Sequence, residues 1–229
     1  MEIEDSKDSS GWKNSKFVAV IELALIALFI IVQNTYRILP LGEVPYLVVL
    51  FWLLLRLRGL KWASLGLSRP ASWTKTIVFA MSVAVLLQVL SEFVTQPIIN
   101  YFTQQSVDLS DFADIPGNFQ LFLIYLVLIW TLAAFGEEMV YRGYILNRTA
   151  DLGGRSAMAW AVGVVFMSVL FGVGHYYQGI SGIIGSAISG LIFAGVYLYS
   201  GRNLWASILA HGFSDTIGLL LIYFGWSKI

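Results

Sequence analysis

Several stretches of this chain run for close to twenty predominantly apolar residues, and this limits its possible folds more than any other feature. An α-helix needs about 20 such residues to cross a hydrocarbon core ~30 Å thick. Inside that core every backbone N–H and C=O must find a partner within the protein, so only helices and closed barrels can span it. Barrel strands read as short segments that alternate in polarity. These runs do not alternate, so they predict helices. With 58% hydrophobic and 12% charged residues and a mean hydropathy of +0.75, an ordinary soluble domain is excluded. The expected fold is all-α, a polytopic transmembrane helix bundle of about seven, or eight, membrane helices. The seven candidate spans are Phe17 to Gln33, Val44 to Leu55, Thr76 to Val94, Phe119 to about Leu146, Ala157 to about His175, Ile180 to Tyr199, and Leu204 to Phe224.

The formal net charge is zero and no basic cluster stands out, so no nucleic-acid partner is expected. Without cysteine there is no disulfide framework, thiolate metal site or cysteine nucleophile. The polar start, residues 1–16, lacks the basic beginning and small-residue cleavage site of a signal peptide and reads as a retained cytoplasmic tail. Residues 17–118 then hold the N-terminal membrane helices and an acidic segment, and residues 119–229 hold the part that carries the chemistry. No internal repeat is visible.

Basic residues set the orientation, because cytoplasmic loops retain Lys and Arg. Lys7, Lys13 and Lys16 precede the first span. Arg56, Arg58, Lys61, Arg69 and Lys75 fill the second connection, Arg148 and Arg155 the fourth, and Arg202 the sixth. Thr95 to Gln120 holds Asp108, Asp111 and Asp114 but neither Lys nor Arg. The expectation is a multi-pass protein of the cell membrane, N-terminus in the cytoplasm and acidic segment outside, with Arg37 and Lys228 as mild exceptions. On the sixth span, Gly182, Ser186, Gly190 and Ala194 recur every fourth residue, a smooth face for helix packing.

Ionisable groups are costly in a bilayer and mark function. Here they gather in three fragments, FGEEMVYRG, FGVGH and HGFSD. Glu138 and Arg142, four apart, share a helix face and can pair, while Glu137 sits about 100° round the helix and can face a cavity. Such a glutamate can act as general base; the bland alternative is an interfacial salt bridge. His175 ends an apolar Gly-rich run and could equally be an interfacial histidine. His211 and Asp215, four apart, share one face well inside the last span, where they need partners. A Glu, two His and one more oxygen match the ligand set of a catalytic zinc site, with Glu137, His175, His211 and Asp215 as candidate ligands. The same groups can activate water with no metal. Helix geometry poses a difficulty: His175 lies about 30 Å along a straight helix from Arg155, which would carry it away from Glu137 unless the helix starts later, tilts, or ends in a re-entrant turn around Gly179.

The ordered motifs Glu137-Glu138-Met139-Val140-Tyr141-Arg142, Phe171 to His175, and His211 to Asp215 resemble the CPBP family of intramembrane proteases, the CAAX-protease and bacteriocin-processing (Abi) family. The resemblance covers Phe119 to Phe224, and Ser64 to Pro70, SLGLSRP, is similar to a stretch upstream in bacterial members. It implies an endopeptidase with a cavity open to the cytoplasm, acting on a membrane-associated peptide or protein within the lipid bilayer. By that resemblance Glu137 activates water, aided by His175; His211 and residue 215 stabilise the oxyanion; Glu138 and Arg142 hold the geometry. Family members are described both as metalloproteases, for which a divalent metal such as zinc is implied, and as metal-independent glutamate proteases. One departure matters: eukaryotic members carry Asn where this chain has Asp215, and an ionised Asp cannot donate a hydrogen bond. Asp215 is then protonated, orients His211, or binds a metal. Two other classes compete: a non-catalytic immunity or scaffold protein, and a proton-coupled transporter.

Overall fold

The computed structural model describes residue 11 and residues 15–226, and every long element is a helix. The expectations for most of the 1–16 tail, including Lys7 and Lys13, and for Lys228 fall outside the described residues. Seven apolar helices follow in order: α1 (Lys16–Tyr36), α2 (Val44–Leu57), α3 (Trp73–Thr103), α4 (Phe119–Leu152), α5 (Ala157–Val173), α6 (Gly179–Tyr199) and α7 (Leu204–Tyr223). Ser15, Ser72, Asn118, Ser156 and Asn203 cap five of the N-termini through their side-chain oxygens, satisfying donors that a helix start leaves unpaired.

These helices sit where the seven spans were expected, but they are not alike. By length and composition α1, α3, α4, α7 and the segment Tyr176–Tyr199 can cross a membrane. With 14 and 17 residues, α2 and α5 are shorter, about 21 and 25 Å along the axis. The third span runs past its expected end at Val94. A π-wound turn at Ser91–Thr95 opens the helix just before Pro97, where a missing N–H and a ring clash would otherwise break it. α4 is π-wound over Ile129–Leu146, the stretch holding the acid pair; such winding favours functional sites.

The outer surface is apolar. Leu25, Leu28, Val78, Leu86, Val127 and Val165 are all more than half exposed. Contiguous apolar surface of this extent is not tolerated in water, and it marks a multi-pass membrane protein. The interior is built around α4, whose residues from Glu138 to Ala150 are buried without interruption. Small residues let neighbours approach: a Cβ on Gly172 would lie 2.5 Å from the Ile183 carbonyl oxygen, and one on Gly190 3.2 Å from Ser168 Cα. Of the small-residue face of α6, Gly190 and the buried Ala194 pack as the spacing predicted, whereas Gly182 meets only the Gln178 side chain just before the helix and Ser186 lines a cavity.

SLGLSRP forms a clip. Gly66 adopts φ +102°, and a Cβ there would meet the Arg202 carbonyl oxygen at 2.0 Å. Its own carbonyl accepts from Leu204 N–H at 2.9 Å, the Leu65 carbonyl accepts from Tyr197 Oη at 2.9 Å, and the Ser68 carbonyl accepts from Asn203 Nδ2 at 3.1 Å. The motif ties down the turn that launches α7, and so fixes where His211 stands. Nearby, Glu22 of α1 pairs with Arg58 at 2.5 Å and Arg148 at 3.1 Å, joining α1, α2 and α4 at the basic end of the bundle.

Candidate active site

Glu138 and Arg142 are both fully buried and pair at 2.8 Å, as their spacing predicted. Arg142 also donates to the Gly190 carbonyl at 3.0 Å and stacks over Phe171, 4.5 Å from the ring centroid. One guanidinium thus ties α4, α5 and α6 together. The second acid, Glu137, points elsewhere, with its side chain 18% exposed.

His211 on α7 joins the two acids. Its Nδ1 donates to Glu138 Oε1 at 2.9 Å. Its Nε2 lies 3.3 Å from Asp215 Oδ2 and 3.9 Å from Glu137 Oε2. Phe193 stacks on the imidazole at 4.7 Å between centroids and Phe171 meets it in a T-shaped arrangement at 5.8 Å, so two aromatic rings hold it in place. A Cβ on Gly212 would fall 2.6 Å from the Trp130 ring, which explains the glycine after the histidine: α4 and α7 touch there.

His175 resolves the difficulty of depth. α5 stops at Val173, and the chain turns through a short 3-10 segment, Tyr176–Gln178, to Gly179 at φ +73°. The histidine therefore remains beside the site instead of continuing away on a longer helix. Its Nδ1 donates to the Phe171 carbonyl at 2.8 Å, which leaves Nε2 as an acceptor. Glu137, His175, His211 and Asp215 all line one cavity of about 670 Å³, a volume typical of ligand sites. Glu138 and Arg142 lie behind its wall.

The cavity reaches the surface between three connections: Leu39 to Gly42, Leu109 to Phe112, and Tyr177 to Gln178. These lie at the end of the bundle that carries the acidic segment. A cavity open to the cytoplasm and an acidic segment outside, both expected from the sequence, are incompatible in this fold.

Two contributors escaped the sequence reading. Glu43, just before α2, lines the cavity at 6% exposure. It accepts from Asn34 Nδ2 at 3.0 Å and from Tyr141 Oη at 3.2 Å. In sequence it reads as an ordinary acid ahead of a Pro-started helix. The signal was Tyr141, inside the first motif, whose hydroxyl needs a partner when buried. A Cβ on Gly136 would lie 2.5 Å from Val44, so glycine there lets α2 bring Glu43 in. Glu43 and Gln88 both line the cavity, so residues 17–118 help to build the site.

The donors do not fit a metal centre. Among the described residues no three His, Asp or Glu side chains gather as a metal-binding group. Both ring nitrogens of His211 already face carboxylates.

Residues 119–217 match the family model of type II CAAX prenyl endopeptidase, Rce1-like. This stretch contains all three motifs, from Glu137 to Asp215, and over it the likeness to CAAX-type intramembrane proteases is shown. The comparisons with curated proteins and with solved structures found no match.

Proposed function

We propose that the chain is an intramembrane endopeptidase that hydrolyses a peptide bond in a membrane-associated peptide or protein, with residues 119–229 as its core. The observation that carries this is the convergence of Glu137, His175, His211 and Asp215 on one cavity, inside the segment that matches the CAAX-type family.

The chemistry follows from the atoms present. Glu137 Oε2 makes no hydrogen bond within the described protein and is placed to take a proton from water. His175 Nε2, left as an acceptor, holds the same water. The hydroxide attacks the peptide carbonyl, and negative charge develops on its oxygen. His211 Nε2–H is the donor aimed at that charge. Glu137 returns its proton to the leaving amine as the C–N bond breaks, giving a carboxylate and an amine. Asp215 Oδ2 stands 3.3 Å from His211 Nε2, and a carboxylate there favours a proton on that nitrogen while leaving the N–H available to the oxyanion. Asp215 thereby orients that proton and is not itself the oxyanion donor. Glu138 fixes the ring through Nδ1, as an acid behind a catalytic histidine does.

Glu137→Gln keeps the size and removes the base. Cleavage of a membrane-anchored peptide by the purified protein should fall at least ~10³-fold. Undiminished cleavage by that variant, free of other proteases, would overturn the assignment. Membrane-peptide proteomics of cells carrying wild type against Glu137→Ala would identify the substrate.

A further inference from the structure

Resting on the peptidase reading above, we infer that the cavity opens on the non-cytoplasmic face of the membrane. Its substrate is then a membrane-anchored peptide whose cleavable segment is presented from that side.

Two independent observations point the same way. The first is where the mouth lies. The connections α1–α2, α3–α4 and α5–α6 all contribute residues to the cavity, while the connections α2–α3, α4–α5 and α6–α7 contribute none. The second is where the basic residues lie. Arg56, Arg58, Lys61, Arg69 and Lys75 cluster around the α2–α3 connection, Arg155 lies in α4–α5 and Arg202 in α6–α7. At the mouth, among the described residues, Arg37 stands alone, and Asp111 already pairs with it at 3.3 Å. Asp108, Asp111 and Asp114 share that end. Lys and Arg near helix ends are retained in the cytoplasm, whereas acids exert little pull. The basic end is therefore cytoplasmic, and the mouth is outside.

Depth adds a requirement on the substrate. His211 lies twelve residues before Tyr223, where α7 ends at the mouth face, a distance of about 18 Å along the axis. An extended chain covers roughly 3.3 Å per residue, so about six unfolded residues must enter before the cleaved bond reaches His211. A folded external domain would not reach; a flexible juxtamembrane segment or a released peptide would.

The chain has no cysteine, so single cysteines report position cleanly. Leu41→Cys sits at the mouth, Ser186→Cys on the cavity wall, and Ser68→Cys on the basic end. In sealed right-side-out vesicles an impermeant maleimide should label the first two, and Ser68→Cys only after detergent is added. The reverse pattern overturns the inference whatever the activity. In a second arm, a mixture of palmitoylated peptides of randomised sequence is supplied to sealed vesicles of either orientation. Right-side-out vesicles should cleave at least tenfold faster than inverted ones, with detergent abolishing the difference. Faster cleavage by inverted vesicles refutes the substrate class. Absence of cleavage by wild type in detergent refutes the peptidase reading and the substrate class with it, while the labelling still decides which face the cavity opens on.

Discussion

Removing one member of the Glu138–Arg142 pair should cost more than removing both charges. Both side chains are fully buried and 2.8 Å apart, and stranding one partner of such a pair costs ~3–5 kcal/mol. The two ends of this range belong to different variants. In Arg142→Met, the carboxylate of Glu138 keeps His211 Nδ1 at 2.9 Å, so the loss should lie near 3 kcal/mol. In Glu138→Gln, the guanidinium keeps the Gly190 carbonyl and two aromatic faces but loses the one carboxylate it is hydrogen-bonded to, so the loss should lie near 5 kcal/mol. Independent effects would add to about 8 kcal/mol, whereas the double variant strands no charge and should cost no more than the worse single, a coupling of about 3 kcal/mol or more. Unfolding can be followed by the fluorescence of the eight tryptophans while detergent or lipid composition is held fixed. If the double variant falls within ~0.5 kcal/mol of the sum of the singles, the pair does not act as a unit and the account of this buried wall is wrong.

Asp215→Asn keeps an oxygen acceptor for His211 Nε2, so cleavage should stay within about tenfold of wild type, whereas Asp215→Ala should lose ~10²-fold or more, since orientation of the histidine proton goes with it. Equal losses in both variants would require the negative charge itself. Glu43→Gln should leave the fold intact, because the amide oxygen can still accept from Asn34 while its NH2 donates to the Tyr141 hydroxyl, which reverses its role; a shift in KM or kcat without a change in stability would place Glu43 in substrate handling, and no kinetic change would make it purely structural. Gly66→Ala forces a side chain onto φ +102° and into the Arg202 carbonyl, and should destabilise by more than ~1–3 kcal/mol. A fully stable Gly66→Ala protein would show that SLGLSRP does not clip α7.

The membrane helices were legible because apolar runs carry their own period and length, and because Ser and Asn stand at their starts. Where the reading fell short, local patterning was overridden. Gln96, Pro97, Asn100 and Thr103 look like a loop, yet α3 continues through them, since the π-wound turn absorbs the proline. Asn147 to Leu152 is too polar to read as the end of a span, yet α4 keeps it: Asn147 donates to Arg142 and Gly143 carbonyls and to Tyr197 Oη. The pairings Glu138 with Arg142 and His211 with Asp215 followed from helical spacing alone. The bond between Glu138 and His211 did not, because it depends on how α4 and α7 meet at Gly212 and Trp130, a contact that no spacing encodes. Glu43 was missed for the same reason: only the approach of α2 to Gly136 brings it near the site.

The shortness of α5 links the fold to the chemistry. A longer fifth helix would carry its C-terminal histidine away from the cavity that Glu137 lines. Ending at Val173 sets the turn beside Phe171, which touches His175, His211, Tyr141 and Arg142 at once. Phe171 is 2% exposed and makes no polar side-chain contact, yet it meets residues of all three motifs. The F of the FxxxH motif is thus the spacer that sets the distance between the two histidines. The turn that keeps His175 beside the site also supplies Tyr177 and Gln178 to the mouth of the cavity, so the placement of the histidine and the opening of the site come from one interruption of one helix.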